Sequence, residues 1–147
     1  MEKKLTGQVA LVTGASRGIG RAIAVMLAQQ GAMVIAAARN QAALEKVVGE
    51  IKEQGGQAKS IVFDLTDEQS IKALVEKIEA EFGRLDILVN NAGLTHSALL
   101  EQTATEDFDR VMATNVRGPF ILTRQCLPML KQAERGFIIN ISSVVGI

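Results

Sequence analysis

Eight consecutive residues, Thr13-Gly14-Ala15-Ser16-Arg17-Gly18-Ile19-Gly20, have the types and spacing to hold a phosphate. An apolar run, Val9 to Val12, precedes them. A helical pattern follows, with Ile19, Ala22, Ile23, Met26 and Leu27 on one predicted inward face. Strand, glycine-rich turn and helix in that order point the N–H groups of a helix's first turn at an anion, with the helix dipole behind them. Gly14 turns the chain where a Cβ would clash, Gly18 lets a phosphate reach the backbone, and Gly20 lets the helix pack close to the strand. Glycines in a loop alone mark no more than a turn. The flanking strand and helix are what make a dinucleotide the fitting ligand.

The end of the second strand reports on the ribose. A carboxylate roughly 20 residues beyond the glycines binds a free 2′-hydroxyl, whereas an arginine accommodates a 2′-phosphate. No Asp or Glu occurs between Gly20 and Glu45; Ala38 stands at the carboxylate position and Arg39 follows it, with Arg17 a second cation in the turn. This favours NADP(H) over NAD(H), against the plainer reading of Arg39 as a solvated loop charge. Asp64, ending the third strand, suits an adenine amino group and equally suits a turn or helix cap. Asn90-Asn91-Ala92-Gly93 ends the fourth strand. Its small residues let a nucleotide lie against the backbone, and its amides can satisfy loop groups or hold a ligand. His96, the only histidine, follows in a loop that faces either a substrate space or solvent.

The elements that must position these residues alternate along the chain. Strands are predicted at Gln8 to Thr13, Met33 to Ala38, Ala58 to Phe63, Leu85 to Val89 and Gly136 to Ile141. Helices are predicted at Gly18 to Gln30 and at Gln41 to Gln54, the latter with Leu44, Val47, Val48 and Ile51 inward. A third opens at a Thr66-Asp67-Glu68-Gln69 capping box and buries Ile71, Leu74, Val75, Ile78 and Phe82. A long fourth opens at Thr103-Ala104-Thr105-Glu106, with Phe108, Val111, Met112, Asn115 and Val116 inward. The alternation implies an α/β fold, a doubly wound parallel sheet of strand order 3-2-1-4-5, with its ligand crevice between strands 1 and 4 at their carboxyl ends.

Composition agrees. The 147 residues suffice for one domain, 1–147, and are 48% hydrophobic with few aromatics, as strands buried on both faces require. Formal net charge is zero, so no field draws nucleic acid or an anionic membrane, and no apolar run approaches the ~20 residues of a membrane span. Cys126 is the only cysteine and Met1 to Gly7 carries no signal-peptide pattern, consistent with a reducing, cytoplasmic setting.

Together these residues resemble the short-chain dehydrogenase/reductase family. Thr13-Gly14-x-x-x-Gly18-x-Gly20, Asp64-Leu65, Asn90-Asn91-Ala92-Gly93, Asn115 and Ile141-Ser142-Ser143 match its motifs in order. Within the family the chain is most similar to the 3-oxoacyl-[acyl-carrier-protein] reductases of fatty acid biosynthesis. Sugar, steroid and other small-carbonyl reductases share much of the pattern. The resemblance implies a Rossmann-type domain truncated before the family's last strands, NADP(H) as cofactor, and a carbonyl substrate carried on an acyl carrier protein or free. It also implies a homo-oligomer at full length. It assigns cofactor contacts to Thr13, Gly14, Ala15, Ser16, Arg17, Gly18, Ile19, Gly20, Arg39, Asp64, Leu65, Asn91, Ala92 and Gly93.

The resemblance makes Ser143 the catalytic serine that hydrogen-bonds the substrate oxygen, and gives Asn115 a relay water held by its peptide carbonyl. Pro119, four residues on, lacks an N–H and clashes with that carbonyl, which leaves it available; the alternative is a proline that merely bends a helix. The family's Tyr-x-x-x-Lys pair has no match, since the sequence contains no tyrosine. Turnover by this chain alone is therefore not expected, and a catalytically silent nucleotide-binding module is the competing reading. A methyltransferase on a similar sheet fits less well, because that cofactor's ribose usually meets an acidic residue. The fifth strand is expected to be an open apolar edge, and Ile121, Leu122 and Leu127 are expected on the outer side of the long helix.

Overall fold

The computed structural model describes residues 2–143. Strands and helices alternate as β1 (Val9–Thr13), α1 (Gly18–Gln29), β2 (Met33–Ala38), α2 (Gln41–Glu53), β3 (Gln57–Val62), α3 (Glu68–Phe82), β4 (Ile87–Asn90), α4 (Thr105–Met112), α5 (Gly118–Gln132) and β5 (Phe137–Asn140). A short 3-10 turn, Leu100–Gln102, precedes α4, and a π-helical turn, Ala113–Arg117, joins α4 to α5. All strand pairs are parallel and the order is β3-β2-β1-β4-β5, as the alternation predicts.

The sheet divides the core in two. Leu11, Ile35 and Leu88 project toward α3 and α5, while Val12, Val34, Ala36 and Val89 project toward α1 and α2. Both faces of β1 are covered, so Val9 to Val12 has no polar alternation. Leu44, Val47, Val48 and Ile51 of α2 are all buried, as are Ile71, Leu74, Val75 and Ile78 of α3. Each such burial contributes about 1.5–3 kcal/mol relative to exposure.

Three helical details differ from expectation. In α1 the buried residues are Gly20, Ala24, Leu27 and Ala28, whereas Ile19 and Met26 are exposed. The helix turns its smallest side chains to the sheet, so close approach, not bulk, chooses its inward face. The capping boxes are not formed as written: Asp67 alone caps α3 by accepting from Gln69 N–H, and Ala104 stands at the start of α4 without a side-chain cap. The Thr66 hydroxyl bonds Asp64 instead, and the Thr103 hydroxyl bonds the Leu99 carbonyl.

The long helix is misphased in the sequence reading. Helix α4 buries no residue, and Phe108, Met112, Asn115 and Val116 are exposed, with Val111 half-buried. Ile121 and Leu122, expected outside, are buried with Cys126, Met129 and Leu130 against α3 and the sheet; Leu127 is half-buried.

At the amino-terminal end of the sheet, the buried Asp86 carboxylate accepts from Val9 N–H at 2.8 Å and receives a two-point contact from Arg84 at 2.7 and 3.0 Å. A buried charge is tolerable only when so satisfied. Strand β5 is an edge strand with all four residues exposed, the open apolar edge predicted for it.

Candidate functional site

The carboxyl ends of β1 and β4 are joined by one side chain. Thr13 Oγ1 accepts from Asn91 N–H and Ala92 N–H, each at 3.0 Å, and donates to the Val89 carbonyl at 3.3 Å. The Asn91 amide completes the staple, its Nδ2 donating to the Thr13 and Gly14 carbonyls at 3.0 and 3.3 Å. Of the two roles open to Asn91, the structure shows the one that satisfies loop groups. Thr13 is buried, so its part is to set the crevice floor.

The three glycines differ in the space around them. A Cβ on Gly20 would lie 2.2 Å from the Gly14 carbonyl oxygen and 2.4 Å from Asn91 Nδ2, and one on Gly14 would lie 2.9 Å from Ala92 Cα. These two allow turn, helix and β4 to meet. Gly18 is different: its φ is +55° and a Cβ there would meet nothing within 4 Å. It opens the first turn of α1 to the outside. Arg17, in extended conformation at the helix start, gives no side-chain cap, and the first turn carries no acidic residue. The uncapped N–H groups and the dipole thus face an open position suited to an anion. Ala15 is buried with its N–H toward the Ala37 carbonyl, tying the turn to β2; Ser16 is half-buried and Ile19 exposed.

Arg39 is exposed just beyond β2, and its charge reaches Asp64 beyond β3. The Asp64 carboxyl is held below its usual range, first by the Thr66 N–H at 2.9 Å, then by the Thr66 hydroxyl at 2.7 Å, with Arg39 adding to the effect. Asp64 is therefore a turn aspartate and at the same time a fixed acceptor beside the β2 end. Leu65 has its side chain in the core.

Asn115 lies in the π-helical turn and clamps the loop after β4. Its Oδ1 accepts from Leu94 N–H at 2.8 Å and its Nδ2 donates to the Leu94 carbonyl at 2.7 Å, with Gly93 alongside. Within the turn Gly118 N–H bonds the Ala113 carbonyl, and Pro119 has no N–H to give Asn115. Ser143 is exposed, three residues beyond β5. His96 Nε2 lies 3.9 Å from Asp107 Oδ2 on α4.

Two groups escaped the sequence reading. The Asn90 amide donates to Thr123 Oγ1 at 3.1 Å and Asn140 Oδ1 at 2.9 Å, joining β4, α5 and β5. Gly118 touches the Leu65 backbone, an approach marked in the sequence only by a glycine before a proline inside a helical pattern. Among the described residues, no three His, Cys, Asp or Glu side chains are grouped to hold a metal, and no helix is long and apolar enough to cross a membrane.

Comparison with known proteins decides the lineage. The family model for short chain dehydrogenases matches residues 8–147. The chain belongs to the short chain dehydrogenase family. It is 42% identical over 144 residues to the 3-oxoacyl-[acyl-carrier-protein] reductase of Thermotoga maritima, covering 98% of this chain and 58% of that protein. It is 40% identical over 145 residues to a 7alpha-hydroxysteroid dehydrogenase of Clostridium sardiniense, covering 97% and 55%. A metagenomic short-chain oxidoreductase solved in complex with NADP superposes with TM-score 0.92 at 44% identity, covering 97% of this chain and 65% of that one. The chain thus spans little more than half the length of these curated short chain dehydrogenase relatives.

Proposed function

We propose that the crevice binds NADP(H) and serves an oxidoreductase that reduces a ketone, a 3-oxoacyl thioester being the favoured substrate. The observation that carries this reading is the open Gly18 position at the uncapped start of α1, flanked by Arg17, with Arg39 rather than a carboxylate beyond β2. The relative solved with NADP supports the cofactor, and the 3-oxoacyl-[acyl-carrier-protein] reductases support the substrate class. The steroid dehydrogenase relative keeps a steroid carbonyl as the second reading.

The residues present fit such a cofactor. The N–H groups around Gly18 would hold the pyrophosphate, Arg17 and Arg39 the 2′-phosphate, and Asp64 the adenine amino group. Ala92 and Gly93 would border the nucleotide. When bound, NADPH supplies a hydride. Ser143 would hydrogen-bond the substrate oxygen. Asn115 would keep the loop after β4 in place while its peptide carbonyl takes a water for proton supply.

The 147 residues contain no tyrosine to act as the family's proton donor, and a positioned acid contributes ~10²–10⁴-fold. We expect this chain alone to bind cofactor without turnover. The exposed stripe Phe108, Met112, Val116 and Phe120 suits contact with another copy in a homo-oligomer.

The test is a titration of the chain with NADPH and NADH, beside Arg39→Ala. Charge-assisted bonds worth ~1.5–3 kcal/mol predict roughly tenfold or greater preference for NADPH, lost in the variant. Equal affinities in the parent chain would end the NADP(H) assignment. NADPH oxidation with acetoacetyl thioester, measured on this chain and on a version extended through a Tyr-x-x-x-Lys segment, tests the division of labour. Comparable rates would mean that another residue, His96 foremost, delivers the proton.

A further inference from the structure

We propose that Gly118 is a positioning residue that couples the adenine side of the crevice to the Asn115 turn. The proposal rests on the NADP(H) reading above. Gly118 is buried and helical in conformation, so its lack of a side chain serves space and not backbone freedom. A Cβ at this position would lie 2.5 Å from the Leu65 carbonyl oxygen and 2.6 Å from Leu65 Cγ, with the Ala113 carbonyl oxygen 3.1 Å away on its own helix. The closest contact is with backbone, which a rotamer change cannot relieve.

Leu65 follows Asp64 directly, and the corner they form is rigid. Asp64 N–H donates to Ser70 Oγ at 2.8 Å, Thr66 donates to Asp64 Oδ1, and Asp67 N–H bonds the Asp64 carbonyl at 3.2 Å. Glu68, in the first turn of α3, meets Arg117 at 3.4 Å and Arg124 at 3.3 Å, so ion pairs on either side of Gly118 in sequence draw the same two pieces together. On the far side of the dock, Asn115 stands three residues before Gly118 and grips Leu94. Any added volume at 118 must therefore move the Asp64–Leu65 corner, the π-helical turn, or both. The Asp64 carboxylate then leaves the position from which it would accept from an adenine amino group.

The experiment measures binding of adenosine 2′,5′-bisphosphate, which carries the adenine and 2′-phosphate alone, and of NADPH, to the 147-residue chain. The variants are Gly118→Ala and, as control, Gly49→Ala, whose added Cβ meets nothing within 4 Å. Gly118→Ala is expected to weaken both ligands by the same factor, about tenfold for one charge-assisted hydrogen bond. Amide shifts should centre on Leu65 to Asp67 and on the π-helical turn. Glu68→Gln, an exposed change that keeps the fold, is expected to weaken the bisphosphate several-fold and serves if Gly118→Ala does not fold. Unchanged bisphosphate affinity in Gly118→Ala, or in Glu68→Gln where only that variant folds, overturns the positioning role. A parent chain that binds neither ligand overturns the cofactor assignment and this inference together.

Discussion

Replacing Thr13 by Val changes shape little and removes one oxygen, which makes the staple between β1 and β4 measurable. The hydroxyl serves two backbone N–H groups, of Asn91 and Ala92, and donates to the Val89 carbonyl. Thr13 is 1% exposed, and Asn91 and Ala92 are half-buried, so water replaces the lost acceptor poorly. Each buried group left without a partner costs about 1–3 kcal/mol; taking the lower half of that range for the two N–H donors alone gives about 2–4 kcal/mol. For a chain of this size that lowers Tm by roughly 6–12 °C. Thr13→Ser keeps the oxygen and loses a methyl group, costing about 1 kcal/mol. Urea and thermal unfolding followed by circular dichroism should therefore rank the parent above Thr13→Ser and Thr13→Val last, although valine is the better strand former. Thr13→Val as stable as Thr13→Ser would refute the reasoning, because burial and β-branching would then outweigh the three hydrogen bonds.

The glycine turn separates stability from binding. Gly20→Ala forces a Cβ into the Gly14 carbonyl and should destabilise by ~1–3 kcal/mol in urea unfolding, whereas Gly18→Val, strained at φ +55° by about 1–2 kcal/mol but free of clashes, should stay folded and no longer bind NADPH. Asp64 titrates below its ordinary value of 3.8 in the folded state, so its contribution to stability is fully present above that pH and is lost as pH falls through the folded value. Asp64→Ala should accordingly be less stable than the parent at pH 6, and a pH series of urea midpoints should show the gap narrowing below about pH 4. Burial pushes the Cys126 thiol up to about 12, and the side chain is fully enclosed. A thiol reagent at pH 8 should label it only after urea is added, and rapid labelling of the native protein would contradict this packing.

Much of the crevice was legible because its residues act through the backbone. Gly14 and Gly20 carry information in lacking a side chain, since an added Cβ at either would run into the turn or the loop after β4, while Gly18 stands in open space. Parallel pairing followed from alternation, and the glycine-rich turn after β1 pointed to the strand order of dinucleotide-binding sheets. What stayed hidden was contact across the chain. Nothing near Thr13 in sequence announces that its hydroxyl ends 78 and 79 residues away on Asn91 and Ala92. Asp64 showed two readings in sequence because it satisfies the turn with one oxygen while standing beside Arg39. The Asn90–Thr123–Asn140 cluster needed the β4–β5 register, which pairs Asn90 with Asn140, before it could be seen.

The long helix shows why periodicity alone misleads. Hydrophobic spacing identifies a face and does not say what the face meets. Between residues 105 and 132 there are two apolar faces. One, from Gly118 through Ile121, Leu122, Cys126, Met129 and Leu130, meets the sheet and α3. The other, Phe108, Met112, Val116 and Phe120, recurs every four residues and stays outside, with the Arg124 guanidinium 5.2 Å from the Phe120 ring centre. The larger side chains lie on the outer face at its amino-terminal half, so reading inward from bulk reverses the orientation. Space gives the correct phase: Gly118 is the one position in the helix where the Leu65 backbone leaves no room for a Cβ, so that side must be the inner one. Asn115, three residues earlier, then falls where its amide reaches Leu94 while the apolar stripe remains exposed. The orientation of the π-helical turn is thus set by a residue with no side chain, just as the turn after β1 is held close to the loop after β4 by Gly14 and Gly20.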